Sequence, residues 1–273
     1  MNKINSLEQI KGIELNILKH VHIFCVENNL QYVLAYGTLI GAMRHNGFIP
    51  WDDDIDIWMP RKDYEEFEIL FPQWGEKRHL YIAGPHNEDH YLPRHMLKVC
   101  DSRTILNENT YKDYKQIGLF IDVYPLDNTS NNRFVDRIWT KYVRTYKFRE
   151  LANNIDTDSD SYRKFNTVKK IVTRILSYGD LKRVNESFIS SAGRYKDSES
   201  KRATVFFVTF PRVYEKEDIF PARTHQFEDA EFFIPKEADK ILRIIYGDYM
   251  KLPPKEQQVP MHTSDAYILD DNE

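Results

Sequence analysis

Four aspartates crowd into five positions of Trp51–Ile57 (WDDDIDI), at Asp52, Asp53, Asp54 and Asp56, and that density of one charge restricts how the segment can fold. Two carboxylates about 4 Å apart repel by roughly 4 kcal/mol at an effective dielectric near 20, whereas a divalent ion between them replaces the repulsion with attraction. The alternation in Asp54–Ile57 (DIDI) predicts a strand with Asp54 and Asp56 on one open face and Ile55 and Ile57 in the core. Hard oxygen ligands without sulfur or an obligatory histidine favour Mg²⁺ or Mn²⁺ over Zn²⁺, and Mg²⁺ usually completes its shell with water and phosphate oxygens. Phosphate chemistry is therefore suggested. The alternatives are a solvated acidic turn and a Ca²⁺ loop, but an EF-hand needs a Gly and a terminal Glu at spacings this segment does not offer.

A third carboxylate stands in Leu119–Asp127 (LFIDVYPLD), where Asp122 is polar within an apolar run and Asp127 follows an expected turn at Pro125. An unpaired buried carboxylate costs several kcal/mol, so Asp122 either faces a metal with Asp54 and Asp56 or points to solvent from an edge strand. His86, His90 and His95, with Cys100 after them, are a rival metal cluster. Their spacing matches no zinc finger, and Pro85 and Pro93 mark irregular structure, so a histidine-rich loop is expected there.

Along the chain, Leu7, Ile10, Ile13, Ile17, Val21 and Phe24 predict an amphipathic helix over residues 7–27. A short buried strand is expected over Tyr32–Tyr36, a turn at Gly37, a short helix over Leu39–Arg44, and a helix over Lys62–Phe71 ended by Pro72. Further strands are expected at Leu80–Ala83, Met96–Cys100, Thr104–Leu106, Leu119–Tyr124, Val205–Phe210 and Glu231–Ile234, with a helix at Lys236–Tyr246 and an irregular tail around Pro253, Pro254 and Pro260. A mixed α/β or α+β sheet follows. The expected organisation is a core over residues 1–130, a basic helical segment over 131–202 and a C-terminal part, 203–273, packing on the core.

The chain of 273 residues has a net charge of −4, yet residues 131–202 hold 17 Lys or Arg against 9 Asp or Glu. An acidic body with a basic middle suits a polyanionic partner, such as a lipid-linked phosphate, a nucleic acid or an anionic membrane surface; a solvated helical face is the alternative. The start, MNKINSLEQIKGIELN, carries charges where a signal peptide needs its apolar core, and no run of about 18 apolar residues exists to span a bilayer. A cytoplasmic location is expected. Two cysteines, Cys25 and Cys100, are too few for a disulfide scaffold and are expected to be buried thiols.

Tyr36–Phe67 (YGTLIGAMRHNGFIPWDDDIDIWMPRKDYEEF) resembles the LicD family of phosphotransferases, which is related to fukutin and fukutin-related protein. The likeness continues in Phe120–Asp127 (FIDVYPLD) and in Phe227–His262 (FEDAEFFIPKEADKILRIIYGDYMKLPPKEQQVPMH), and is weakest in the middle helical segment. It implies an α+β, nucleotidyltransferase-like mixed sheet with an inserted or appended mainly helical segment. It also implies transfer of a phospho-alcohol, typically phosphocholine from CDP-choline, to a cell-surface glycan such as a teichoic acid precursor or lipopolysaccharide, with release of CMP. In that fold a Gly-Ser or Gly-Thr turn holds nucleotide phosphates, and an Asp-x-Asp strand with a third carboxylate holds the metal. Gly37-Thr38, Asp54-Ile55-Asp56 and Asp122 fill those places. A glycine lets backbone approach a phosphate, while the Thr38 hydroxyl and the N–H groups of the next helix can donate to it.

Arg44, Lys98 and Arg103 are the candidate phosphate contacts, with surface cations as the alternative, and His262 is a candidate substrate contact or structural histidine. The expected partners are a CDP-alcohol donor and a glycan acceptor carried on a lipid at the inner membrane face, with no nucleic acid. Choline, glycerol and ribitol all remain open as the alcohol, and Asp122 either completes the metal site or takes the acceptor's proton. The rival activities are an Asp-x-Asp glycosyltransferase using a nucleotide sugar and a non-catalytic scaffold of the same fold.

Overall fold

A computed structural model describes residues 1–92, 94–107, 115–155, 157, 160–177, 181–208, 211–260 and 265–269. The core begins with a buried stripe on one helix: Lys11, Glu14, Ile17, Leu18, Val21, Phe24 and Cys25 recur at helical spacing along α1 (Leu7–Glu27), behind strand β1 (Asn2–Lys3). Ser6 caps α1 by accepting from the Gln9 N–H at 3.2 Å. There follow β2 (Val33–Leu34), α2 (Tyr36–His45), β3 (Asp56–Pro60) and α3 (Arg61–Glu76). Next come β4 (Leu80–Ala83), β5 (Leu97–Asp101), β6 (Thr104–Asn107), β7 (Lys115–Ile117) and β8 (Phe120–Asn128).

Helices then dominate, with α4 (Arg133–Asn154), α5 (Asp160–Arg163), α6 (Thr167–Leu176) and α7 (Leu181–Ala192). The chain closes with β9 (Arg202–Thr204), β10 (Val213–Glu215), the hairpin β11 (Arg223–Phe227) and β12 (Ala230–Ile234), α8 (Ala238–Tyr246) and β13 (Asp265–Ile268). This is the mixed α+β fold that the sequence predicts. Among the described residues no helix is long and apolar enough to cross a membrane.

The main sheet runs β10-β9-β8-β3-β2, and β5 pairs with both β8 and β4. Strand β8 is parallel to β3 and antiparallel to β5, so its first half is hydrogen-bonded on both sides and Asp122 lies inside the sheet. The edge-strand alternative for Asp122 is thereby overturned. A second sheet, β1-β13-β6-β7, ties the end of the chain to its beginning. The irregular tail expected after Pro253 thus contains a strand.

Three other expectations are corrected. Pro72 lies inside α3, which runs past it because Phe71 and Trp74 close on Phe24 with ring centroids 5.1 and 5.3 Å away. Pro125 makes no turn: it sits within β8 opposite Met59, and Asp127 is locked by a buried fork to Arg61 at 2.7 and 3.0 Å. The strand expected at Val205–Phe210 falls earlier, at β9, and its last two positions lie outside the described residues.

Candidate active site

The acidic segment is held from two sides. Lys11 of α1 reaches across to donate to the carbonyls of Ile49 and Pro50, each at 3.0 Å. Glu228, in the β11–β12 turn, accepts from the Phe48 N–H at 2.9 Å and donates its own N–H to the Asn46 carbonyl at 2.7 Å. This fixes where Asp52, Asp53 and Asp54 emerge before β3. Their nearest carboxylate oxygens lie within 4.8 Å of one another, the one grouping of three or more metal-type ligands found among the described residues.

Asp56 opens β3, so the strand begins two residues later than the DIDI alternation predicts. Its N–H donates to the Thr38 hydroxyl at 2.8 Å, and Asp122 stands opposite it in register on β8. Across β8 the buried Lys98 of β5 donates to Asp122 Oδ1 at 2.6 Å, and the Tyr124 hydroxyl donates to Asp122 Oδ2 at 3.4 Å. The half-buried ring of Tyr36 meets those of Trp58 and Tyr124 edge to face at 5.2 and 5.5 Å, forming an aromatic wall beside the acids.

Two buried carboxylates carry the electrostatic strain. Burial first, then the charges of Asp54, Asp122 and Asp52, push the Asp56 carboxyl well above the usual carboxylate range, against a pull from Lys98. Burial also raises Glu14 on α1 well above that range, with Asp54, Asp53, Asp122 and Asp52 adding to it. One oxygen of each, Asp56 Oδ1 and Glu14 Oε2, is buried without a hydrogen bond. An all-oxygen set with buried carboxylate oxygens that lack hydrogen bonds fits a hard divalent cation, whose charge would favour their ionised form.

Glu14 is the acid that sequence reasoning missed. The signal lay in α1, where Lys11 and Glu14 take two positions of the stripe that faces the core.

Gly37 and Thr38 each support the acidic segment. Tyr36, the first residue of α2, takes the positive φ of +43°, while a Cβ on Gly37 would stand 2.6 Å from Asp52 Oδ2. Gly37 leaves room for the Asp52 carboxylate, and Thr38 braces the backbone of Asp56. Replacing Gly37→Ala should keep the fold, since the far end of a side chain can move, and should weaken divalent-ion binding about tenfold by displacing Asp52. Titration calorimetry with Mg²⁺ checks this; unchanged affinity would remove the role assigned to Gly37.

The remaining candidates separate. Lys98 is in the cluster. Arg44 sits about 10 Å down α2 from Gly37, where it donates to the Tyr249 carbonyl at 2.8 Å and to His45 at 2.9 Å. Burial lowers its pKa and the charge of Asp52 partly restores it. Arg103 is turned away, forked to Asp101 at 2.9 and 2.6 Å beyond the end of β5, and Asp101 lies an odd number of residues from Lys98, on the other face of the strand. His262 lies outside the described residues.

The three histidines do not converge. His86 is bound to Glu68, His90 lies 4.0 Å from the ring of Tyr81, and His95 stacks on Phe188 at 3.7 Å with Glu150 3.2 Å from its Nε2. Cys100 is a buried thiol that donates to the Lys98 carbonyl at 3.8 Å.

Residues 29–155 match the family described as LicD/FKTN/FKRP, nucleotidyltransferase domain. The chain is 29% identical, over 98% of its own length and 100% of the relative's, to the lipopolysaccharide cholinephosphotransferase LicD of Haemophilus influenzae. An uncharacterised protein of Rickettsia typhi is 28% identical over 71% of this chain and 68% of its own. Mannosyltransferase regulator 4 of Saccharomyces cerevisiae is 27% identical over 46% of this chain but only 11% of its own.

Proposed function

We propose that this chain, a phosphotransferase of the LicD family with its nucleotidyltransferase domain at residues 29–155, moves phosphocholine from CDP-choline to a hydroxyl of a lipid-borne glycan and releases CMP. The observation that carries the reading is the pairing of Asp56 with Asp122 in register beside the Asp52–Asp54 grouping. Asp54 and Asp56, with Asp52 and Asp53 beside them, are the residues that would hold Mg²⁺ or Mn²⁺. Such an ion, when bound, neutralises charge on the diphosphate and on the departing CMP.

The acceptor hydroxyl attacks the phosphorus that bears choline, the bond from that phosphorus to the CMP oxygen breaks, and CMP departs with the electron pair. Asp122 accepts the hydroxyl proton. Its carboxylate is oriented by hydrogen bonds from Lys98 and Tyr124, which hold it in place to take the proton. The wall of Tyr36 and Tyr124 favours choline over glycerol or ribitol, because a quaternary ammonium is attracted to aromatic faces and to nearby carboxylates.

CMP release, measured with CDP-choline, CDP-glycerol, CDP-ribitol and UDP-glucose in turn, each with and without Mg²⁺, tests the reading. Metal-dependent CMP from CDP-choline, at least tenfold above the other CDP-alcohols, is the expected result. Release from another CDP-alcohol instead would replace choline alone, while UDP from UDP-glucose would replace the reaction class.

A further inference from the structure

An amphipathic helix normally turns its apolar stripe inward, and α6 does the reverse. Val168, Ile171, Val172 and Ile175 follow one another at i, i+3, i+4 and i+7, and they are 68%, 54%, 46% and 67% exposed. The helix packs on α4, and the positions that lose exposure there are Lys170, Thr173 and Leu176, on the opposite side. The stripe therefore points away from the body of the protein. Arg163, Lys164, Lys169 and Arg174 stand around it, with no Asp or Glu between Tyr162 and Leu176.

We infer that α6 is a membrane-docking element that lays Val168, Ile171, Val172 and Ile175 into the interface of an anionic lipid surface. An apolar face of this width flanked by cations is what interfacial helices use: the side chains enter the headgroup boundary and the Lys and Arg residues meet lipid phosphates. Charge complementarity selects lipid over a second copy of this chain. A symmetric pairing through α6 would set four cations against the same four at close range, whereas anionic headgroups neutralise them. The excess of 17 cations over 9 acids in residues 131–202 extends the attraction beyond the helix itself.

The inference stands apart from the catalytic reading, because none of these residues belongs to the carboxylate cluster. The full chain is floated with vesicles of phosphatidylcholine alone and of phosphatidylcholine with about one-third phosphatidylglycerol, at low and at high salt. Binding to the anionic vesicles, reduced by salt and weak on the neutral ones, is expected. The double variant Ile171→Ser, Ile175→Ser should lower the partition coefficient at least tenfold with its melting temperature unchanged, since both side chains are exposed. Lys169→Glu with Arg174→Glu should lower it similarly. CMP release from soluble CDP-choline should be the same in all of these variants, so loss of docking and loss of catalysis are read separately. Equal binding by the serine variant and the parent, no binding to either vesicle, or self-association abolished by the serine substitutions would overturn the assignment.

Discussion

Asp56→Asn should abolish metal-dependent CMP release, by about 10³-fold or roughly 4 kcal/mol in the barrier, while raising the melting temperature of the metal-free protein. The two effects have one origin. Asp56 is buried, one of its oxygens lacks a hydrogen bond, and Asp54, Asp122 and Asp52 all disfavour its charge. An amide of the same shape removes the repulsion, which should stabilise the folded chain by on the order of 2 kcal/mol, and removes the anionic ligand along with it. Lost turnover with a lower melting temperature would make Asp56 merely structural, and retained turnover would end its place in the mechanism.

The same residue sets a pH dependence, together with Glu14. Both are carboxyls raised in the fold, first by burial and then by neighbouring carboxylates. Each favours its neutral form in the native state. The stabilisation this gives is complete below the ordinary carboxylate range and is lost as pH rises through the raised values. Without divalent ions, melting temperature should therefore fall as pH rises above the ordinary carboxylate range, and saturating Mg²⁺ should flatten the curve. A metal-free melting temperature that rises with pH above the ordinary carboxylate range would contradict the sign.

Much of this arrangement was legible in the sequence because it is local. The period of two in DIDI and the polar break in LFIDVYPLD placed two carboxylates on strands, and β3 and β8 then pair them in register. Strand β4 has the bounds its apolar run predicts. What was illegible depends on contacts far apart in the chain. Lys11 meets the Ile49 carbonyl 38 positions away and Glu228 meets Phe48 across 180, and no periodicity encodes either contact. The role of Glu14 depends on the same fold, since a glutamate on a helix reads as solvated until Asp54 and Asp53 are brought beside it. Arg103 shows the converse error. Its charge alone suggests a phosphate contact, but Asp101, two residues away, already forks it.

Removing Lys98 should be the most damaging single change to stability in the site. Lys98→Met keeps the length of the buried stem and deletes only the ammonium, which leaves Asp122 close to Asp56 and Asp54 without its main counter-charge. Breaking a buried pair on one side costs about 3–5 kcal/mol, because the remaining charge is stranded. Urea unfolding should show that loss in the metal-free protein. Adding Asp122→Asn to Lys98→Met should recover most of it, since the double variant has neither charge left to bury, and the cycle isolates the coupling of the pair from the packing of the stem. Divalent ions should also recover part of the loss in Lys98→Met, because a cation held among the aspartates supplies countercharge to the same carboxylate. If the single and double variants are equally unstable, the lysine acts through its packing against Phe120, 3.3 Å from its ring, and the electrostatic account of Asp122 fails.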